Sequence, residues 1–221
     1  MAFTQAQKEA ITHFQGPAMV LAGPGSGKTT VITHRTNYLI EHYGIHPGNI
    51  LVVTFTRAAA EEMKKRFLAM RKEQRTMVRF GTFHSVFFEI LKYAYGLTGA
   101  NIAGEEVCYG FLKEIISKID LDVEDEAELL KSLIQEISIV KSEQILLEHY
   151  YSSSVSDEIF RRIYQEYQKK MTEKNLLDYD DLLVCTWELL TQRADICAGW
   201  QKRYRYILID EFQDINKLQY E

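Results

Sequence analysis

The stretch Ala18-Met19-Val20-Leu21-Ala22-Gly23-Pro24-Gly25-Ser26-Gly27-Lys28-Thr29-Thr30 decides the fold of this 221-residue chain. Its five leading apolar residues predict a buried strand. The glycines after them predict a tight loop, and Lys28 to Tyr43 predicts a helix with Ile32, Leu39 and Tyr43 on one face. The loop fits the pattern G-x-x-x-x-G-K-[ST] with one departure, Ala22 at the first position. Glycines let successive backbone N–H groups converge on phosphate oxygens, and the helix that follows favours anions at its N-terminus. Gly23, Gly25, Ser26, Gly27, Lys28 and Thr29 are therefore the candidate nucleotide-binding residues. Lys28 is expected to reach the β- and γ-phosphates of ATP, and the Thr29 hydroxyl to ligate Mg2+. The competing reading, a glycine turn with an incidental lysine, needs strand, loop and helix to agree by accident.

Working outward, short apolar runs alternate with helical periodicity. Ile50–Thr54 predicts a second strand and Ala58–Met70 a second helix; Val78–Thr82 predicts a third strand, leading into a helix near Ser85–Tyr95. Strands alternating with helices imply an α/β fold with a parallel sheet. From Asn101 to Lys174 only helical periodicities occur, such as Phe111, Ile115, Ile119 and Leu129, Leu133, Ile137. This stretch, with Glu124-Asp125-Glu126, is expected to be an all-helical insertion, and Ser152-Ser153-Ser154 a loop within it. The strand signal returns at Tyr206–Ile209, directly before Asp210-Glu211. Residues 1–100 and 175–221 are thus expected to form one domain, interrupted by 101–174. A carboxylate at the end of an apolar strand can hold Mg2+ through water, and its neighbour can act as base toward an attacking water. Asp210 is the candidate metal partner and Glu211 the candidate base. Two carboxylates after a strand are common; what makes them informative is the phosphate loop that accompanies them.

Composition narrows the classes. A hydrophobic fraction of 46% supplies a core and argues against disorder. The three cysteines have no metal-ligand spacing and leave an odd thiol, which suits a reducing, cytoplasmic setting. Met1 to Ala10 is polar and does not read as a signal peptide, and no apolar run is long enough for a bilayer. The net charge of −5 hides an asymmetry: residues 1–100 hold 12 Lys/Arg against 6 Asp/Glu, while residues 101–221 hold 14 against 25. The basic excess from Arg57 to Arg79 reads equally as a solvated helix face or as a polyanion-binding surface.

At this point the order of motifs resembles that of the UvrD/Rep/PcrA-like helicases of superfamily 1. Phe3-Thr4-Gln5-Ala6-Gln7 resembles the family's glutamine motif, in which the residue matching Gln7 reads adenine. Val53–Met63 resembles motif Ia, and Gly81-Thr82-Phe83-His84-Ser85 the next DNA-contacting motif. Leu177-Asp178-Tyr179-Asp180-Asp181-Leu182-Leu183 resembles the acidic segment where the first motor domain resumes, and Asp210–Asn216 resembles motif II. The resemblance spans nearly the whole chain. It implies a RecA-like P-loop domain interrupted by a helical subdomain, use of ATP and Mg2+, and 3′-to-5′ translocation on single-stranded DNA. Lys28, Glu211 and Gln213 would be catalytic, with Gln213 coupling nucleotide to DNA. Phe55 would stack on a base, a contact worth roughly 1–3 kcal/mol, with Arg57, Thr82 and His84 along the DNA backbone. The alternatives are a core aromatic at a strand end for Phe55, a helix-start residue for His84 and a surface amide for Gln213. Thr30 stands where the family often has a nucleotide-contacting arginine, so the clamp on the base departs from the pattern.

The chain is expected to lack the second RecA-like domain with its arginine fingers. It is also expected to act at single-strand/duplex junctions, with an accessory protein as a candidate partner of the acidic helices. Two other function classes stay open: a non-catalytic P-loop module that binds DNA, and a P-loop kinase of small metabolites. Retention of both Lys28 and Glu211 speaks against the first. Nothing resembling an acceptor site supports the second.

Overall fold

The computed structural model describes residues 3–119, 121 and 125–221, so Met1, Ala2 and Glu124 lie outside the described residues. The chain divides into two compact units, residues 1–86 with 193–214, and residues 87–192 with 215–221.

The first unit is α/β. Strands β1 (Ile50–Thr54), β2 (Arg79–Thr82) and β3 (Tyr206–Ile209) form a parallel sheet in the order β2-β1-β3, with Leu51 opposite Arg79 and Ile50 opposite Tyr206. All five residues of β1 are buried, as expected of a strand paired on both edges and covered on its faces. Its helices are α1 (Gln5–Thr12), α2 (Lys28–Tyr43), α3 (Arg57–Arg71) and α9 (Ala194–Arg203), and α4 (Phe83–Tyr95) begins in it. Helix α3 packs on β1 and β2, while α2 packs on α1 and α3. Leu39, Val52, Met63, Phe67, Phe80 and Leu208 meet in one core cluster. Burying each such side chain stabilises by about 1.5–3 kcal/mol before conformational entropy is charged against it.

The strand expected at Ala18–Ala22 does not form. The segment is irregular, and Met19, Val20 and Leu21 are 70%, 57% and 90% exposed. An apolar run specifies a wish for burial, yet a strand also needs an edge to receive its hydrogen bonds. The central strand β1 has both edges taken, and this segment pairs with neither outer edge of the sheet. The other expected elements match: α2, β1 and β3 have the predicted bounds, and α3, β2 and α4 differ by one or two residues at their ends.

The second unit is helical, built from most of α4 with α5 (Glu105–Ile116), α6 (Glu126–Ser142), α7 (Asp157–Glu173), α8 (Tyr179–Gln192) and α10 (Lys217–Tyr220). Among the described residues of 101–174 there is no strand. The predicted faces meet as read: Ile115, Leu129, Leu133 and Ile137 are buried with Leu112, Phe160 and Tyr167, and Phe111 and Ile119 pack against them. Ser152–Ser154 is a loop. Ser153 and Ser154 donate their hydroxyls to the buried Glu136 carboxylate, which sequence reading did not anticipate.

Candidate functional site

The glycine-rich loop closes on itself before α2 begins. Ser26 donates its hydroxyl to the Gly23 carbonyl at 2.7 Å and its N–H to the same oxygen at 3.3 Å. Gly25 and Gly27 have φ of +73° and +84°, a region that costs other residues roughly 1–2 kcal/mol. Gly27 is the N-cap of α2, so no side chain caps the helix. Its first N–H groups, at Lys28, Thr29 and Thr30, are therefore left to an external acceptor. The Thr33 hydroxyl bonds the Thr29 carbonyl at 2.8 Å and leaves the Thr29 hydroxyl out of that contact.

Gln7 is fixed against this loop. Thr4 caps α1, and the Gln7 side-chain oxygen accepts from the Thr4 N–H at 2.9 Å. That reciprocal cap turns the amide nitrogen toward the loop, where it donates to the Ser26 carbonyl at 2.9 Å. The glutamine motif and the phosphate loop thus share one hydrogen bond.

The acidic pair arrives from the far end of the sequence. Strand β3 ends at Ile209, and the Asp210 N–H still bonds the Val53 carbonyl at 2.9 Å, holding Asp210 at the carboxyl end of the sheet. Glu211 then takes φ of +54°, uncommon for a residue with a side chain. Its carboxylate lies 3.0 Å from the Lys28 ammonium, across 183 positions of sequence. Gln213 donates to the same oxygen at 2.8 Å. The hydrogen bond from Gln213 and the Lys28 ammonium hold the Glu211 carboxyl below its ordinary range. Asp210 moves the other way, raised by burial and by the neighbouring Glu211 charge. A buried carboxylate beside a like charge is one that a cation would favour. Among the described residues no three or more His, Cys, Asp or Glu side chains converge as a metal site. The donors on offer, the Thr29 hydroxyl and the Asp210 carboxylate, are hard oxygens that suit a Mg2+ brought in with phosphate oxygens.

The remaining candidates cluster at the carboxyl ends of β1 and β2. Thr56 caps α3 by accepting from the Ala59 N–H at 3.1 Å, which ends β1 and leaves Phe55 between strand and helix. Phe55 is 38% exposed and meets Phe83 edge-on, with ring centroids 6.1 Å apart. It is therefore not a core aromatic. Arg57 opens α3 and pairs with Glu61 at 3.2 Å on an open surface. Thr82 ends β2, and its hydroxyl accepts from the Ser85 N–H at 3.2 Å, capping α4. His84 sits half-buried in the first turn of that helix.

The acidic segment Leu177–Leu183 is placed in the helical unit. Lys141 of α6 lies 2.6 Å from Asp178 and 2.7 Å from Asp181, and the Tyr167 hydroxyl donates to Asp178 at 2.9 Å. Nothing in the sequence marked Lys141 as the partner, because an internal helix lysine 37 positions upstream carries no local signal.

A parallel sheet with a glycine-rich turn, an uncapped helix start and an Asp-Glu pair at its carboxyl ends defines an α/β protein of the phosphate-loop type. Residues 3–221 match the UvrD/REP helicase N-terminal domain, and the chain belongs to that family. It is 38% identical to the putative ATP-dependent DNA helicase YjcD of Bacillus subtilis over 97% of this chain and 29% of that protein. It is 36% identical to the ATP-dependent DNA helicase Rep of Escherichia coli over the full chain and 33% of Rep. With the ATP-dependent DNA helicase PcrA of Bacillus subtilis it shares 33% identity over 97% of this chain and 30% of PcrA. The chain spans about a third of the length of these relatives. Among the described residues no helix is long and apolar enough to cross a membrane.

Proposed function

We propose that this chain is the ATP-binding first motor domain of an ATP-dependent helicase that translocates on single-stranded DNA in the 3′-to-5′ direction. The observation that carries the reading is the Lys28–Glu211 pair, which unites the phosphate loop with the acidic motif. In this reading the N–H groups of Gly25, Gly27, Lys28, Thr29 and Thr30 and the Lys28 ammonium bind the phosphates within the Gly23–Thr30 loop, while Gln7, already held on the loop, reads adenine. Thr29 and Asp210 would hold Mg2+, which would supply neutralisation of the phosphate oxygens as charge develops. Lys28 leaves Glu211 for the phosphates when ATP enters. Glu211, released and held ionised by Gln213, is then the base that accepts a proton from the attacking water. Because Gln213 touches the base directly, its movement links the nucleotide to the DNA side of the sheet.

DNA is assigned to the carboxyl ends of β1 and β2, where Phe55 offers a half-exposed ring and Arg57, Thr82 and His84 lie in adjoining turns. In this reading residues 1–100 and 175–221 belong to a RecA-like domain interrupted by a helical subdomain at 101–174. Strands confined to the flanking segments support it, while the compact units group 87–100, 175–192 and 215–221 with the helices. The greater length of the relatives leaves room for the second RecA-like domain and its arginines. The setting is cytoplasmic, and an accessory protein on the acidic helices and action at strand junctions complete the reading.

The test is titration of a fluorescent ATP analogue with Mg2+ into the chain and into Lys28→Ala, with and without a single-stranded oligonucleotide. Saturable binding that is lost in the variant and shifted by the oligonucleotide is expected. Undiminished binding by Lys28→Ala would sink the assignment. In the full-length protein, Glu211→Gln is expected to bind ATP and stop its hydrolysis.

A further inference from the structure

A second concentration of positive charge lies at the opposite end of the same sheet. Because β1, β2 and β3 run parallel, their first residues share one edge, away from Lys28 and Glu211. There a groove of about 480 Å3 is lined by His46, Asn49, Lys64, Arg79, Arg203 and Tyr204 among others, and no aspartate or glutamate lines it. Its basic residues come from four segments: the turn before β1, helix α3, the start of β2 and the end of α9. Arg79 of β2 donates to the Phe80 carbonyl at 3.3 Å, which leaves His46, Lys64 and Arg203 to face a ligand.

Several of these groups are already oriented. The Arg203 guanidinium lies 4.9 Å from the Trp200 ring centroid and 5.0 Å from that of Tyr204. A guanidinium held against aromatic faces keeps its N–H groups pointing outward in its own plane. The Arg203 carbonyl accepts from the Asn49 amide at 2.8 Å, tying the end of α9 to the turn before β1. His46 accepts the Gly48 N–H at Nδ1, 3.1 Å away, which leaves Nε2 as the ring's outward donor. Lys64 is exposed and makes no ion pair among the described residues.

We infer that this groove binds a phosphate group, distinct from the phosphates assigned to the glycine-rich loop. A planar carboxylate is satisfied by one arginine fork, whereas donors arriving from the turn before β1, from α3 and from the end of α9 suit a tetrahedral oxyanion. The volume falls within the range of small-molecule sites. The phosphate is carried either by a small phosphorylated molecule or by a nucleic-acid backbone, since both present the same group.

Isothermal titration of pyrophosphate into the full chain tests this. Lys28→Ala is expected to keep one pyrophosphate site, and adding Lys64→Gln and Arg203→Gln to that background to weaken it at least tenfold. Lys64→Gln alone, at an exposed position, is expected to weaken it about threefold with an unchanged melting midpoint, which separates binding from folding. Absence of pyrophosphate binding to Lys28→Ala, or indifference to the Lys64 and Arg203 changes, overturns the inference. Failure of the nucleotide reading would be seen separately, in the ATP-analogue titration. Displacement of pyrophosphate by a short single-stranded oligonucleotide would assign the site to backbone phosphates; displacement by a nucleoside monophosphate alone would assign it to a small molecule.

Discussion

Each unit of this chain holds a lysine against acidic side chains, and the two arrangements differ in one property. Lys28 and Glu211 in the α/β unit are 32% and 37% exposed. In the helical unit, Lys141 is 2% exposed, Asp178 10% and Asp181 14%. The distances are similar, 3.0 Å against 2.6 and 2.7 Å. In water-facing surroundings an ion pair contributes little and exchanges readily, so the Lys28–Glu211 pair can be broken at small cost, as the proposed arrival of a phosphate requires. Inside the helical unit the partners were stripped of water, and none can leave without stranding a buried charge. Against the pull of burial, Asp178 and Asp181 keep Lys141 protonated. Against burial too, Lys141 holds Asp178 below its ordinary range. Exposure, more than contact distance, separates a pair that can exchange partners from one that cannot.

The largest effect that would break this contrast is expected from Lys141→Ala. It leaves two carboxylates facing each other without their cation, and a loss of about 3–5 kcal/mol in urea unfolding is expected. A loss below 1 kcal/mol would mean the cluster is as dispensable as a surface pair. Tyr167→Phe removes one donor to Asp178 and is expected to cost about 2 kcal/mol, the range for hydrogen bonds to charged groups.

The third test uses pH. Burial lifts the Asp181 carboxyl to about 6, with the Asp178 charge adding to the shift and Lys141 opposing it. An acid whose folded pKa lies above its unfolded value binds protons more tightly when folded. Asp181 therefore subtracts stability as pH rises from about 4 to 6. Asp181→Asn removes that slope, so its stability relative to the parent is expected to rise across this window by on the order of 1 kcal/mol. A constant difference in unfolding midpoints between pH 4 and 7 would contradict the assignment. The smallest effect on stability is expected from Lys28→Ala, whose thermal midpoint should stay near that of the parent while nucleotide binding disappears.

Much of the α/β unit was legible because its signals are local. The apolar runs at Ile50–Thr54 and Tyr206–Ile209 and the period of Lys28–Tyr43 each reside in a short window and survive folding unchanged. Ala18–Ala22 carried a signal of the same kind and did not become a strand, since pairing depends on a neighbour the window does not contain. Residues of the candidate site were legible as types at spacings: Lys28 after its glycines, Asp210 and Glu211 after their strand. Their meeting was not, because it depends on the parallel order β2-β1-β3 and on the left-handed turn at Glu211.

By itself, then, the sequence determined the α/β class, the phosphate loop, the acidic pair and the helical character of residues 101–174, all written in periodicity and in short-range chemistry. Tertiary structure alone decided that Gln7 rests on the Ser26 carbonyl and that Lys28 faces Glu211. It also decided that Lys141 is the hidden partner of Asp178 and Asp181, and that basic side chains from four segments line one groove. The physical reason is common to all of them. Burial and Coulomb attraction act between side chains that are close in space, and separation along the chain carries no record of which ones will be.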